Sequence, residues 1–180
     1  MKTRRLLCIL LALCMVLFLA ACDSSGSSDD DDEDPSGSVV EVYVPTGTVQ
    51  GIDFSGKTVV AKYAKAVDAE RETIGGVTYR TEEIDAIILY DDNTFVTSER
   101  KIYINKSTGV QDGTKEKIEL DEKGTFALNS GSYSDGSVTI NQTHDWESET
   151  SSWEADAESV TVTVSGGKFT KGNDKYTKVD

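Results

Sequence analysis

Few side chains in this sequence are suited to chemistry, and their placement limits what they can do. His144 is the only histidine. A Ser-His-Asp triad or a histidine-rich metal site would have one imidazole to draw on. Asp145 and Glu147 beside it offer oxygen ligands, but in so polar a stretch His144 reads as a surface residue of a loop. Carboxylates are abundant, at 32 in 180 residues. Glycoside hydrolysis needs only two, held at a fixed separation, and no spacing here singles out a pair. The expectation is a protein without catalytic residues, metal site or cofactor; a glycan-processing enzyme is the least favoured reading. Trp146 and Trp153 are the sharper case. They lie in the most polar stretch, Asn141 to Ser159, with no aliphatic core residue beside them. One reading is a hairpin whose tryptophans cover a barrel end. The other is an exposed aromatic pair among Asp145, Glu147, Glu149 and Glu154, where flat rings stack on a sugar or fill a partner's pocket.

The remaining reactive group is a thiol. Of three cysteines, Cys8 and Cys14 fall in an apolar run from Leu6 to Ala21 that follows Lys2, Arg4 and Arg5. That run is short for a membrane span and ends in small residues, the pattern of a secretory signal peptide. Cys22 comes next. Leu19-Ala20-Ala21-Cys22 resembles the lipobox of bacterial lipoproteins. The resemblance implies cleavage before Cys22, a signal peptide over 1–21, and a diacylglyceryl group on the Cys22 sulfur. Acyl chains would then hold the protein at a membrane, at about 0.8 kcal/mol per buried methylene. The implied place is the bacterial cell envelope, outside the cytoplasm, with membrane and leaflet left open. The alternative is an ordinary secreted protein with a chance cysteine. With Cys22 acylated, no disulfide remains to staple the core.

Charge narrows the partners. The signal carries three of the 18 Lys and Arg and none of the 32 Asp and Glu, so the remainder balances 15 against 32, or −17. Nucleic acid is excluded as an expected partner, because phosphate binding needs a basic surface. Anionic lipid head groups are repelled too, so the lipid must supply the attachment. Residues 22–38 read as a linker. Ser-Ser-Gly-Ser-Ser leads into six acids from Asp29 to Asp34 and then Pro-Ser-Gly-Ser. Nothing apolar is present to offset the entropy of ordering. The acid run is a solvated tether or a sorting mark, and it lacks the spacing of an EF-hand calcium loop.

Residues 39–180 are enough for one domain. Their pattern is apolar alternation at period two with frequent turns. Strands are expected over Val39–Val44 and Val49–Phe54, and from Lys57, with a helix over 61–72 as the runner-up. Ile84–Tyr90, Thr94–Ile104, Ile118–Leu120, Thr125–Leu128, Ser137–Asn141 and Ser159–Val164 continue the series, and Phe169–Tyr176 makes a last hairpin. Leu89-Tyr90-Asp91-Asp92-Asn93-Thr94-Phe95 is echoed by Leu120-Asp121-Glu122-Lys123-Gly124-Thr125-Phe126. Both copies predict a tight hairpin with Asn93 or Gly124 in the left-handed region. Gly131-Ser132-Tyr133 and Asp135-Gly136 predict a third.

The expected fold is all-β: an antiparallel meander of about eight to ten strands closing into a barrel, with an open β-sandwich as the alternative. From Lys57 to Val179 the chain resembles bacterial lipocalin-like or calycin-like lipoprotein domains in its turn pattern. It lacks the Gly-x-Trp that marks the first strand of true lipocalins, so no ligand residues carry over. The expected function is a membrane-anchored extracytoplasmic lipoprotein whose barrel binds a small molecule, a glycan or an envelope protein. The alternative is a structural or interaction lipoprotein whose barrel is filled by its own side chains.

Overall fold

Alternating apolar and polar residues build strands, and the described residues contain strands and no helix. The computed structural model describes residues 41–65 and 68–180. The expected signal peptide, Cys22, the linker to Ser38, and Val39 and Val40 lie outside the described residues. β1 (Thr48–Val49) and β2 (Ile52–Asp53) form a miniature hairpin. One antiparallel sheet holds the rest: β3 (Val59–Lys65), β4 (Asp68–Ile74), β5 (Val77–Tyr90), β6 (Thr94–Asn105), β7 (Lys117–Gly131), β8 (Gly136–Glu147), β9 (Ser152–Val164), β10 (Lys168–Lys171) and β11 (Asp174–Val179). Hydrogen-bonded neighbours run β10-β11-β3-β5-β6-β7-β8-β9. β4 pairs with the first half of β5 and β3 with the second. The two ends of the path, β9 and β10, are consecutive in the chain and joined by a tight turn at the Ser165↔Lys168 bridge. The sheet therefore curls into a nearly closed barrel with one unsealed seam. The barrel expectation is met, and the open sandwich is not.

Two apolar clusters use the two faces of the sheet. Ala61, Tyr63, Ile87, Leu89, Phe95, Phe126, Val138, Ile140, Val162, Val164, Phe169 and Tyr176 fill one half of the interior. Tyr63 meets Phe169 edge-on at 4.9 Å, and Phe169 stacks on Tyr176 at 5.2 Å. The neighbours of these positions in β5, Ile88 and Tyr90, point the other way, as the pleat requires. On that outer face they join Val96, Leu120 and Phe54, covered by Val42, Tyr43, Val44, Val49 and Ile52. Residues 41–56 thus form a strap across the outside of β5, β6 and β7.

That strap corrects two expectations. The described part of the first expected strand, 41–44, has no ladder partner; it lies on the barrel wall through its side chains and through bonds from Arg100 and Ser98 to the Glu41 and Tyr43 carbonyls. The segment expected as a strand from Val49 to Phe54 is instead split by a turn at Gln50 and Gly51, both at positive φ. The helix over 61–72 is also absent among the described residues. β3 is paired on both sides, by β5 and β11, and β4 is paired with β5. Ladder bonds and the burial of Tyr63 outweigh the helix propensity of the Ala, Lys and Glu residues.

The echoed turns diverge. Asn93 sits at φ 63° between β5 and β6. Asp92 Oδ1 accepts from the Thr94 amide at 3.1 Å and its hydroxyl at 2.6 Å, which fixes the turn. Gly124 is in no turn: β7 runs unbroken from Lys117 to Gly131. Register shifts flank it, on β6 between Val96 and Ser98 and on β7 between Lys123 and Gly124. The glycine is needed because a Cβ there would strike the Asn141 carbonyl and lie 2.8 Å from the Phe95 ring. The third and last hairpins form as expected, between β7 and β8 and between β10 and β11.

Candidate functional site

The same alternation that fills half the interior with apolar side chains lines the other half with acids. On β5, Ile87 and Leu89 face inward, so Asp85 and Glu83, two and four residues earlier, share their face. β6 sets Glu99 opposite Asp85, and β7 sets Glu119 opposite Glu99. The β6–β7 and β7–β8 irregularities bring Asp121 and Glu122 to the same wall. On β8, Val138, Ile140 and Gln142 face inward, and the shift between Gln142 and His144 turns Asp145 inward too. Gln142 Nε2 donates to Asp145 Oδ1. The boundary between the halves is abrupt. Above it, the space among Tyr63, Ile87, Leu89, Val138, Val162 and Phe169 cannot admit a water. Below it, a cavity of about 160 Å³ is bounded by Glu83, Asp85, Glu99, Asp121, Glu122 and Lys171.

Cations are few there. Lys171 Nζ reaches across from β10 to both Glu122 oxygens, at 2.7 and 3.0 Å. Lys65 Nζ lies 3.4 Å from Asp85 and 3.4 Å from Asp174. Glu83, Asp85 and Glu99 each offer an oxygen, all within 4.8 Å of one another. Such a trio matches the oxygen preference of a hard cation. Crowded, half-buried acids hold their protons longer. Burial pushes the Asp121 carboxyl up to about 7, helped by Glu99, Glu119, Asp85 and Glu122. Burial, then the charges of Glu83, Asp85 and Glu119, raises Glu99, while Lys101 opposes the rise. Asp145 is pushed up to about 6 by burial, by its hydrogen bond with Asp156 and by the Asp156 and Glu122 charges. A carboxyl near neutrality can pass a proton. Desolvation and like-charge crowding suffice to produce these shifts without any catalytic design.

Of the residues singled out from the sequence, Trp146 and Trp153 lie on the other face. Asp145 and Glu154 are register partners, and so are the next pair, Trp146 and Trp153. Adjacent pairs point to opposite faces, so the tryptophans face outward. Their rings meet edge-on at 5.3 Å. Trp153 packs against the outer cluster, donates Nε1–H to the Gln50 carbonyl at 2.8 Å and lies under the Lys123 ammonium at 4.4 Å. His144 is in strand β8, not in a loop, with its Nδ1 2.9 Å from the Thr143 hydroxyl. Cys22 lies outside the described residues.

The sequence reasoning missed the acidic wall and Gln50. The first had a signal: Glu83-x-Asp85-x-Ile87-x-Leu89 is one period-two face that changes from acid to apolar midway. Gln50 had none. Its side chain donates to the Leu120 carbonyl at 2.9 Å and accepts from the Leu120 amide at 2.6 Å. It completes the edge of β7 where β8, whose pairing with β7 starts at Glu122, does not reach. Comparison of the chain with protein-family models, with curated proteins and with solved structures finds no match in any of the three.

Proposed function

We propose that this chain is a membrane-anchored extracytoplasmic lipoprotein whose barrel is a non-enzymatic binding module for a cationic ligand or partner. The anchor rests on Leu19-Ala20-Ala21-Cys22 and the run before it. The observation that carries the binding role is the divided interior. The apolar half is filled by its own side chains, so an apolar guest has no space. The open half is walled by carboxylates with few compensating cations. Partly buried like charges repel one another, and a bound cation relieves that repulsion. A net charge of −14 over the whole chain draws cations toward it.

Two measurements test the reading. Cells making the protein or its Cys22→Ala variant are fed labelled palmitate. The label should appear on the first and not on the second; equal label would overturn the anchor. The purified protein is then titrated by calorimetry with spermidine and, separately, with a long-chain fatty acid. Spermidine should bind with an affinity that falls as salt rises, and the fatty acid should not bind. The reverse pattern would overturn the cation reading.

A further inference from the structure

The wall of the acidic half is incomplete, and the gap is built from backbone. β9 runs from Ser152 to Val164 and pairs with β8 along one edge. Along its other edge the described residues give it no ladder. The nearest pairing is the Ser165↔Lys168 bridge just past its end. β10 starts at that bridge, covers four residues and turns back at Gly172. The N-terminal half of β9 therefore extends past the β10–β11 turn with no ladder on that edge among the described residues. On the far side of the same gap, β11 pairs with β3 over Lys62 to Lys65, and among the described residues β4 pairs only with β5.

The free stretch of β9 reads Ser-Trp-Glu-Ala-Asp-Ala-Glu-Ser over 152–159. Its period-two set Glu154, Asp156 and Glu158 continues the inward face of Val160, Val162 and Val164. Asp156 neighbours Asp145, whose carboxyl it helps to hold up. An unoccupied edge with ordered N–H and C=O groups is a template for another strand. Acid at every second position repels a second copy of this chain, which would set Glu and Asp against Glu and Asp. The same acids suit a cationic strand.

We propose that this edge of β9 takes up an extended basic segment of a partner polypeptide by strand addition. Main-chain bonds form to β9 between Ser152 and Ser159. Lysine or arginine at alternate positions of the segment then enters the acidic half of the barrel toward Glu122, Asp145 and Asp156. Backbone pairing gives the affinity, and the period-two pockets give the selection. This rests on the cationic-partner reading above and names the partner's chemistry and its mode of docking.

The test uses the full chain and a fluorescent peptide, acetyl-Lys-Thr-Lys-Val-Lys-Thr-amide, followed by anisotropy at low salt. Three comparison peptides are read beside it. One has the same composition with its lysines contiguous. The other two carry N-methyl groups on the odd or on the even backbone nitrogens. Strand addition should weaken binding about tenfold or more for one methylated peptide and leave the other unchanged, because only alternate amides of a strand face its neighbour. The contiguous-lysine peptide should bind more weakly than the alternating one. Hydrogen exchange of the 152–159 amides should slow on binding, and Glu154→Gln with Asp156→Asn should abolish the effect. Equal binding by all four peptides would overturn strand addition while leaving a cation-binding barrel intact. If spermidine also fails to bind, the cationic reading falls with it.

Discussion

Gln50 holds φ at 47°, a conformation that costs a non-glycine residue free energy unless its surroundings fix it. Here three groups fix it. The side-chain amide pairs with both backbone groups of Leu120, and the Gln50 carbonyl accepts from Trp153. Gln50→Ala keeps the strained backbone and leaves the Leu120 amide and carbonyl without those bonds. It should lower stability by about 1–3 kcal/mol, read as a lower denaturant midpoint at unchanged slope. Native tryptophan emission should shift to the red as the Trp153 site loosens; an unchanged midpoint would sink this account of Gln50. Gly124 offers a second residue-scale test against Asn93. Gly124→Ala should cost roughly 1–3 kcal/mol or more, since the added methyl meets the Asn141 backbone and the buried Phe95 ring. Asn93→Gly should stay within about 1 kcal/mol of the parent, because relief of left-handed strain is offset by a looser unfolded chain. The sequence echo made these two positions look alike. They differ because Thr-Phe after Asn93 follows a turn, whereas Thr-Phe after Gly124 continues a strand past a register shift.

At the scale of elements, the strap over 41–56 contributes most where Phe54 sits. Its ring is buried and 5.5 Å from that of Tyr90. Arg100 holds the strap's start through the Glu41 carbonyl at 3.0 Å, and Ser98 donates to the Tyr43 carbonyl at 3.1 Å. Phe54→Ala should lower stability by about 3–5 kcal/mol, the range for a buried aromatic. Protease should then cut in the strap before the barrel unfolds, which gel analysis of brief digests would show; cleavage first elsewhere would separate the strap from the outer core. The strands of the barrel were legible in the sequence because period two is imposed by one wet and one dry face. The strap was not. Val42, Tyr43 and Val44 carry the apolar content of a strand, but they pack by side chains and one bond from Ser98 to the Tyr43 carbonyl, with no ladder, and no sequence pattern separates those cases. The long arms β8 and β9 were read too short for a related reason. From Asn141 to Ser159 their inward face is polar, so the apolar alternation stops where the pairing does not.

Like charges crowd one half of the barrel interior, and that makes stability depend on pH in a stated direction. Asp121, Asp145 and Glu99 are raised, so the native state keeps protons that the unfolded chain has already released. Their contribution is complete below the ordinary carboxyl range, near about pH 4, and is lost as pH rises through about 7 for Asp121 and about 6 for Asp145. Asp53, Asp92 and Asp112 work the other way. Asp53 is lowered by its bonds from Ser55, and Asp112 by its bonds from Thr114 and Tyr79. Burial would raise Asp92, but Lys57 and Thr94 bonds outweigh it. Those contributions are present above the ordinary range and fade in stronger acid. The raised set should make stability decline from mild acid toward about pH 8, and the decline is expected to come from the acidic half of the barrel. Asp121→Asn removes the most perturbed of these carboxyls without changing its shape. It should raise the melting temperature most at about pH 8 and least at about pH 4, and so flatten the profile between them. Spermidine added at the alkaline end should reproduce part of that gain, because binding to the native state stabilises by mass action. A variant whose profile keeps the parent's slope would show that the burial of Asp121 and the repulsion around it do not set it.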